Sequence, residues 1–311
     1  MSEPAHPIPP VTTHERVVIG VDFSEASIAA IHWVRRALAP DAELVLVHAI
    51  EVPEPPPFLR GLHAPREDVV STARRGAEVR FRELRASVAP GRVWTEIRVA
   101  RASECLATVA SEYGASLVVI GTHRERPGVW NRLGTTAERV LSISPVPVVL
   151  TTGELRDAPQ HLLVPVDDAE SFTRLLGWLQ ALMRVHGSRV TTLHVVPSST
   201  LGYLLTGVGV GVGSVAPVVT APDDLLALEA EQWKQRLLAA GLDADRVSCE
   251  VIFGEPGRAI VEATTRLSAD MIVMGRSGAG KIRRALMGSV TREVLRGATC
   301  PVLVIVEGGG E

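Results

Sequence analysis

Short unbroken apolar runs alternate along this chain with longer stretches in which apolar residues recur every three or four positions. The short runs cover 17–22, 44–50, 93–99, 117–120 and 146–150, and then 162–167, 190–196, 247–253, 271–274 and 302–306. Runs of this length without polar alternation predict strands buried on both faces. Between them, Phe172, Leu175, Leu176, Leu179 and Leu182 fall on one helical face, with Asp168 placed to cap the helix. Residues 225–238 and 259–267 predict two more helices. Buried strands alternating with amphipathic helices predict an α/β fold, a parallel sheet with helices on both faces.

The pattern is written twice. Val17-Val18-Ile19-Gly20-Val21-Asp22 is matched by Leu162-Leu163-Val164-Pro165-Val166-Asp167, and Trp33 by Trp178. Leu46-Val47-His48 is matched by Thr192-Leu193-His194, Val118-Val119-Ile120-Gly121 by Ile272-Val273-Met274-Gly275, and Pro147 by Pro301. A whole unit repeated at this length predicts two domains of one fold, at 14–152 and 161–307, joined by a linker at 153–160. Residues 1–13, proline-rich and polar, read as a disordered tail without the apolar core of a signal peptide. The second copy is longer between its second and fourth strands. Its extra stretch, 198–222, carries no charge and contains Gly207, Gly209, Gly211, Gly213 and Pro217. That glycine alternation predicts a flexible exposed loop rather than a membrane span.

Composition narrows the partners. A formal net charge of −3 argues against a general nucleic-acid binder. Cys105, Cys249 and Cys300 have neither metal-ligand spacing nor an even count for disulfides, so they read as reduced thiols in a cytoplasmic protein.

The chemistry concentrates after the fourth strand of the second copy. Gly275, Gly278 and Gly288-Ser289 read G-x-x-G, nine residues, then G-S, with a helix predicted from Ser289. Glycines admit a ligand close to the backbone, and a helix start offers unpaired amides with partial positive charge. The combination predicts a cradle for a polyphosphate. Lys281, Arg283 and Arg284 lie in the same loop, placed either to screen phosphate charge or as solvated surface residues. The stretch from Gly275 to Lys281 also spells G-x-x-x-x-G-K, but Ile282 stands where a P-loop needs a magnesium-binding hydroxyl. His48 and His194 occupy equivalent strand ends, which favours a shared packing or hydrogen-bonding role over catalysis, and Trp33 and Trp178 read as core. No Ser-His-Asp order or nucleophile elbow is present.

These residues resemble the universal stress protein family, and the chain looks like a tandem member from about Arg16 to Glu307. The resemblance implies two doubly wound domains, each with a five-stranded parallel sheet in the order 3-2-1-4-5 and a ligand crevice between strands one and four. By similarity to the ATP-binding branch, Pro165, Asp167 and Val195 line the adenine and ribose end. Met274, Gly275, Gly278, Gly288, Ser289 and Val290 line the rest. The first copy keeps Asp22, Gly121, Gly134 and Thr135 but has Arg124 in place of the second glycine, Gly20 for Pro165 and Ala49 for Val195. An adenine nucleotide, ATP, is therefore the expected ligand. Magnesium with the ATP is left open, since one carboxylate per copy, Asp22 or Asp167, is thin evidence for a metal site. The implied role is a regulatory, stress-response module. The alternatives are a scaffold with disused sites, or a slow ATPase, for which no activating base is visible. The family also pairs fifth strands across a two-fold axis. The apolar strands at Pro147 and Pro301 thus predict an intrachain pseudo-dimer, with further homodimerisation of the chain open.

Overall fold

The ten apolar runs become ten strands. A computed structural model of the chain describes residues 16–52, 66–88, 90–122, 134–152, 155–198, 222–276 and 287–306. The first half contributes β1 (Arg16–Gly20), β2 (Glu43–Ala49), β3 (Val93–Arg98), β4 (Leu117–Gly121) and β5 (Val148–Thr151). The second contributes β6 (His161–Val166), β7 (Arg189–Pro197), β8 (Val247–Gly254), β9 (Met271–Gly275) and β10 (Val302–Ile305). The helices are α1 (Glu25–Trp33), continued by a π-helical turn at Val34–Leu38, α2 (Arg66–Ser87), α3 (Ala102–Glu112) and α4 (Thr135–Ile143). In the second half they are α5 (Ala169–His186), α6 (Pro222–Ala239), α7 (Pro256–Arg266) and α8 (Ser289–Gly297). No described helix is long and apolar enough to cross a membrane.

One continuous sheet runs β3-β2-β1-β4-β5-β10-β9-β6-β7-β8. Each half carries the expected order 3-2-1-4-5, with all pairs inside a half parallel. The halves join where β5 meets β10 antiparallel, with Val148, Val149 and Leu150 opposite Val304, Leu303 and Val302. Every residue of these two short strands is buried. Left apart, each would present an apolar edge with unpaired backbone groups, and pairing them removes both.

Helices cover both faces. One core packs Ile31, Trp33, Phe81, Phe172, Trp178, Trp233 and Leu237 of α1, α2, α5 and α6 against the sheet. The other packs Leu106, Val109, Leu141, Ile260, Val294 and Leu295 of α3, α4, α7 and α8. Both cores draw on the two halves, so the apolar interior continues across the junction. Trp33 and Trp178 are core residues, each 2% exposed. Asp168 caps α5 in a reciprocal box: its carboxylate accepts the Ser171 amide at 2.7 Å, and the Ser171 hydroxyl accepts the Asp168 amide. That amide holds the Asp168 carboxyl below its ordinary range. The three cysteines form no disulfide, and burial pushes the Cys105 thiol up to about 11, which keeps it unreactive.

Candidate functional site

The topology makes one crevice in each half. After β6 the chain turns to α5 on one face; after its neighbour β9 it turns to α8 on the other. The carboxyl ends of these strands are the switch point of a doubly wound sheet. In the first half β1 and β4 stay paired from Val17↔Leu117 to Gly20↔Ile120. In the second half the β6–β9 ladder stops after Leu162↔Met271 and Leu163↔Ile272. Pro165, at the position of Gly20, has no backbone N–H, so the next rung cannot form. The second pair therefore lacks the last backbone rungs that the first pair makes, although its strands stay side by side and Val164 and Val273 remain fully buried.

Pro165 is half-buried in β6, Asp167 is exposed just beyond it, Val195 is buried in β7, and Met274 is buried beside Gly275 at the end of β9. The start of α8 returns to this edge through explicit bonds. The Gly288 amide donates to the Arg276 carbonyl at 3.1 Å. The Thr291 hydroxyl donates to the carbonyls of Gly275 at 3.2 Å and Arg276 at 3.1 Å. Gly288 is the cap residue, Ser289 the exposed first helical residue and Val290 half-buried behind it. No side chain caps α8, and among the described residues the Ser289 and Val290 amides have no partner. The first turn of α8 holds no acidic residue. Gly278, Lys281, Arg283 and Arg284 lie outside the described residues.

The first half has the same frame with different chemistry. Gly134 precedes α4, Thr135 is its exposed first residue, and again no side chain caps the helix. A Cβ on Gly134 would meet nothing within 4 Å, and its φ of −59° suits any residue. Here the glycine leaves room rather than relieving strain. Gly121 differs: a Cβ there would lie 2.6 Å from backbone atoms of Ala26, so this glycine lets the end of β4 abut the first turn of α1. Glu138 places a negative charge in the first turn of α4, where α8 has Arg292. Ala137 stands at the position of Thr291, so the hydroxyl staple is missing. Arg124 lies outside the described residues.

The two conserved-looking carboxylates of the repeat are held at their strand ends. The Ser171 hydroxyl donates to Asp167 Oδ1 at 2.7 Å. Asp22 Oδ1 accepts the Ser24 amide at 2.9 Å and the Ser24 hydroxyl at 2.5 Å. The Asp22 turn forces Phe23 to a φ of 62°, an uncommon conformation for a bulky residue, and its ring packs 4.8 Å from that of His48. His48 and His194 play the shared role the repeat predicts. The Nδ1 atom of each lies within hydrogen-bond distance of the carbonyl just before the carboxylate, Val21 at 2.7 Å and Val166 at 2.9 Å. Each histidine thus ties the second strand of its half to the turn bearing the acid.

Two contributors carry no sequence signal of their own, Thr291 and Arg276. Only comparison of the copies singles them out, because Ala137 and Thr122 hold the equivalent places. Asp270 serves elsewhere. It accepts the backbone amides of Gln160 and His161 at the amino end of the sheet, away from the crevice. A separate cavity of about 300 Å³ lies beside the edge strand β8, lined by Phe253, Glu255, Arg258, Glu262 and Arg266. Both of its arginines are already paired, Arg258 with Glu262 and Arg266 with Glu250.

Comparison with known proteins agrees with this architecture. The family model described as the universal stress protein family matches residues 13–152 and 159–306. A universal stress protein of Mycolicibacterium smegmatis is 26% identical over 313 residues, covering 94% of this chain and 97% of the relative. Universal stress protein Sll1388 of Synechocystis is 27% identical over 148 residues, 46% of this chain and 96% of its own length. The crystal structure of a universal stress protein from Archaeoglobus fulgidus shares the fold, with a TM-score of 0.65 at 18% identity over 96% of this chain and 98% of that one. With both halves matched and a relative aligned from end to end, this chain belongs to the universal stress protein family as a tandem member.

Proposed function

We propose that the chain is a regulatory, stress-response module that binds an adenine nucleotide, ATP, in the crevice of its second half. One observation carries the reading: a helix start whose Ser289 and Val290 amides have no partner among the described residues is stapled to the end of β9 through the Gly288 amide and the Thr291 hydroxyl. Such a helix start favours anions. Asp167 at the neighbouring strand end is placed to accept ribose hydroxyls, and Pro165, Val195 and Met274 supply apolar surface for the base. Magnesium, where present, arrives with the phosphates; among the described residues no group of His, Cys, Asp and Glu is arranged to hold a metal ion.

The first half is the weaker site in this reading. Asp22, Gly121, Gly134 and Thr135 keep the frame, but Glu138 places a negative charge in the first turn of α4, which opposes an anion there. A cytoplasmic location fits a nucleotide sensor. Native mass spectrometry of the full chain in ATP tests the proposal. At least one nucleotide per chain is expected. A chain that stays empty at millimolar ATP returns the reading to a scaffold with disused sites, and a magnesium-dependent turnover assay separates a binder from a slow ATPase.

A further inference from the structure

Arg276 joins the two halves at the crevice. Its backbone belongs to the second site: the carbonyl accepts the Gly288 amide and the Thr291 hydroxyl, and the amide donates to Ile305 of β10 at 3.1 Å. Its side chain belongs to the first half. The guanidinium Nη1 donates to the carbonyls of Leu141 at 3.2 Å and Ser142 at 3.3 Å, in the last turn of α4. Last-turn carbonyls lack intrahelical partners and carry the negative end of the helix dipole, so a cation there is stabilised. Two further contacts hold the same two halves together. The Thr152 hydroxyl donates to the Ala298 carbonyl at 3.3 Å, and Arg296 lies 3.9 Å from Glu138.

Resting on the adenine-nucleotide reading above, we infer that Arg276 is a positioning residue through which the first half sets the phosphate cradle of the second. Its guanidinium, anchored on α4, fixes the backbone carbonyl that orients Gly288 and the start of α8. The tandem arrangement is then part of the site. The first half has Thr122 at this position, whose hydroxyl bonds Thr151 within its own half at 2.9 Å, so the dependence runs one way.

Calorimetry with ATP and with adenosine on the full chain tests this, because a cradle effect falls on phosphates and a general structural effect does not. Arg276→Ala is expected to weaken ATP about tenfold while leaving adenosine within about twofold. Arg276→Lys, which keeps the charge but loses the fork, should recover part of the loss. Combining Arg276→Ala with Thr291→Ala should cost little more than the worse single change, since both act on one carbonyl. Equal weakening of ATP and adenosine, unchanged ATP binding in a variant with native circular dichroism, or additive losses would each overturn the inference. A wild-type chain that does not prefer ATP to adenosine would instead remove the cradle reading beneath it.

Discussion

Gly288→Val separates binding from folding. Gly288 has φ −61° and ψ 155°, an extended conformation that valine adopts without strain. The stability cost is that of valine at a helix cap, about 1 kcal/mol. A domain stable by roughly 5–15 kcal/mol tolerates this, and the melting temperature should fall by only ~2–4 °C. Binding suffers far more, because the branched side chain stands before the amides of Ser289 and Val290. Hydrogen bonds to a charged group contribute about 1.5–3 kcal/mol each. Losing two weakens ATP by at least about a hundredfold. Isothermal titration of wild-type and variant chains, paired with thermal melts, reads both quantities. Unchanged ATP affinity in a normally melting variant would refute the cradle. A collapse in melting temperature would show that the glycine serves packing instead.

Other perturbations probe the frame around the site. Burial depresses the folded-state pKa of His161, with Arg189 nearby adding to the effect, and burial likewise depresses His186. Their stabilising contribution is therefore present above the unfolded value near 6.5 and is lost as pH falls through their lower folded values. Urea midpoints should drop from about pH 7.5 to about pH 5.5, and His161→Gln should flatten the slope; stability that rises on acidification contradicts this. Gly121→Ala should cost ~1–3 kcal/mol in denaturation because its Cβ meets the Ala26 backbone, whereas Gly134→Ala should be nearly neutral. Equal losses for the two would show that the glycines act alike. Pro165→Ala supplies a backbone donor facing β9, so a protected amide at position 165 is expected in hydrogen exchange; a freely exchanging amide there would show that the proline alone does not end the ladder.

Much of this molecule is legible in its sequence because the pattern is repeated. A strand such as 271–274 is ambiguous alone, but a second copy at 117–120 fixes its type and its neighbours. The pairing of the two fifth strands came with the family resemblance, supported by their apolar character, and its antiparallel sense only with the structure. The order of strands came only with the family resemblance, since buried parallel strands look alike from either side. What remained hidden depends on backbone geometry. Arg276 carries no signal of its own in the sequence, and its role emerges only from the contact of its guanidinium with the end of α4. Thr291 reads as a helix surface residue until its hydroxyl closes on Gly275. Gly121 reads as part of a ligand motif, while the structure shows a helix packed so closely against it that a Cβ would meet the Ala26 backbone. Pro165 was read for its contact with a base, while its missing N–H also ends the β6–β9 ladder early.

A crystal of the full chain grown with ATP tests the central claim most directly. The account predicts phosphate density against the amides of Ser289 and Val290, and ribose density beside Asp167 at the mouth between β6 and β9. A crevice left empty at saturating nucleotide, or ATP bound instead beside Phe253 and Arg258 at the sheet edge, would contradict it.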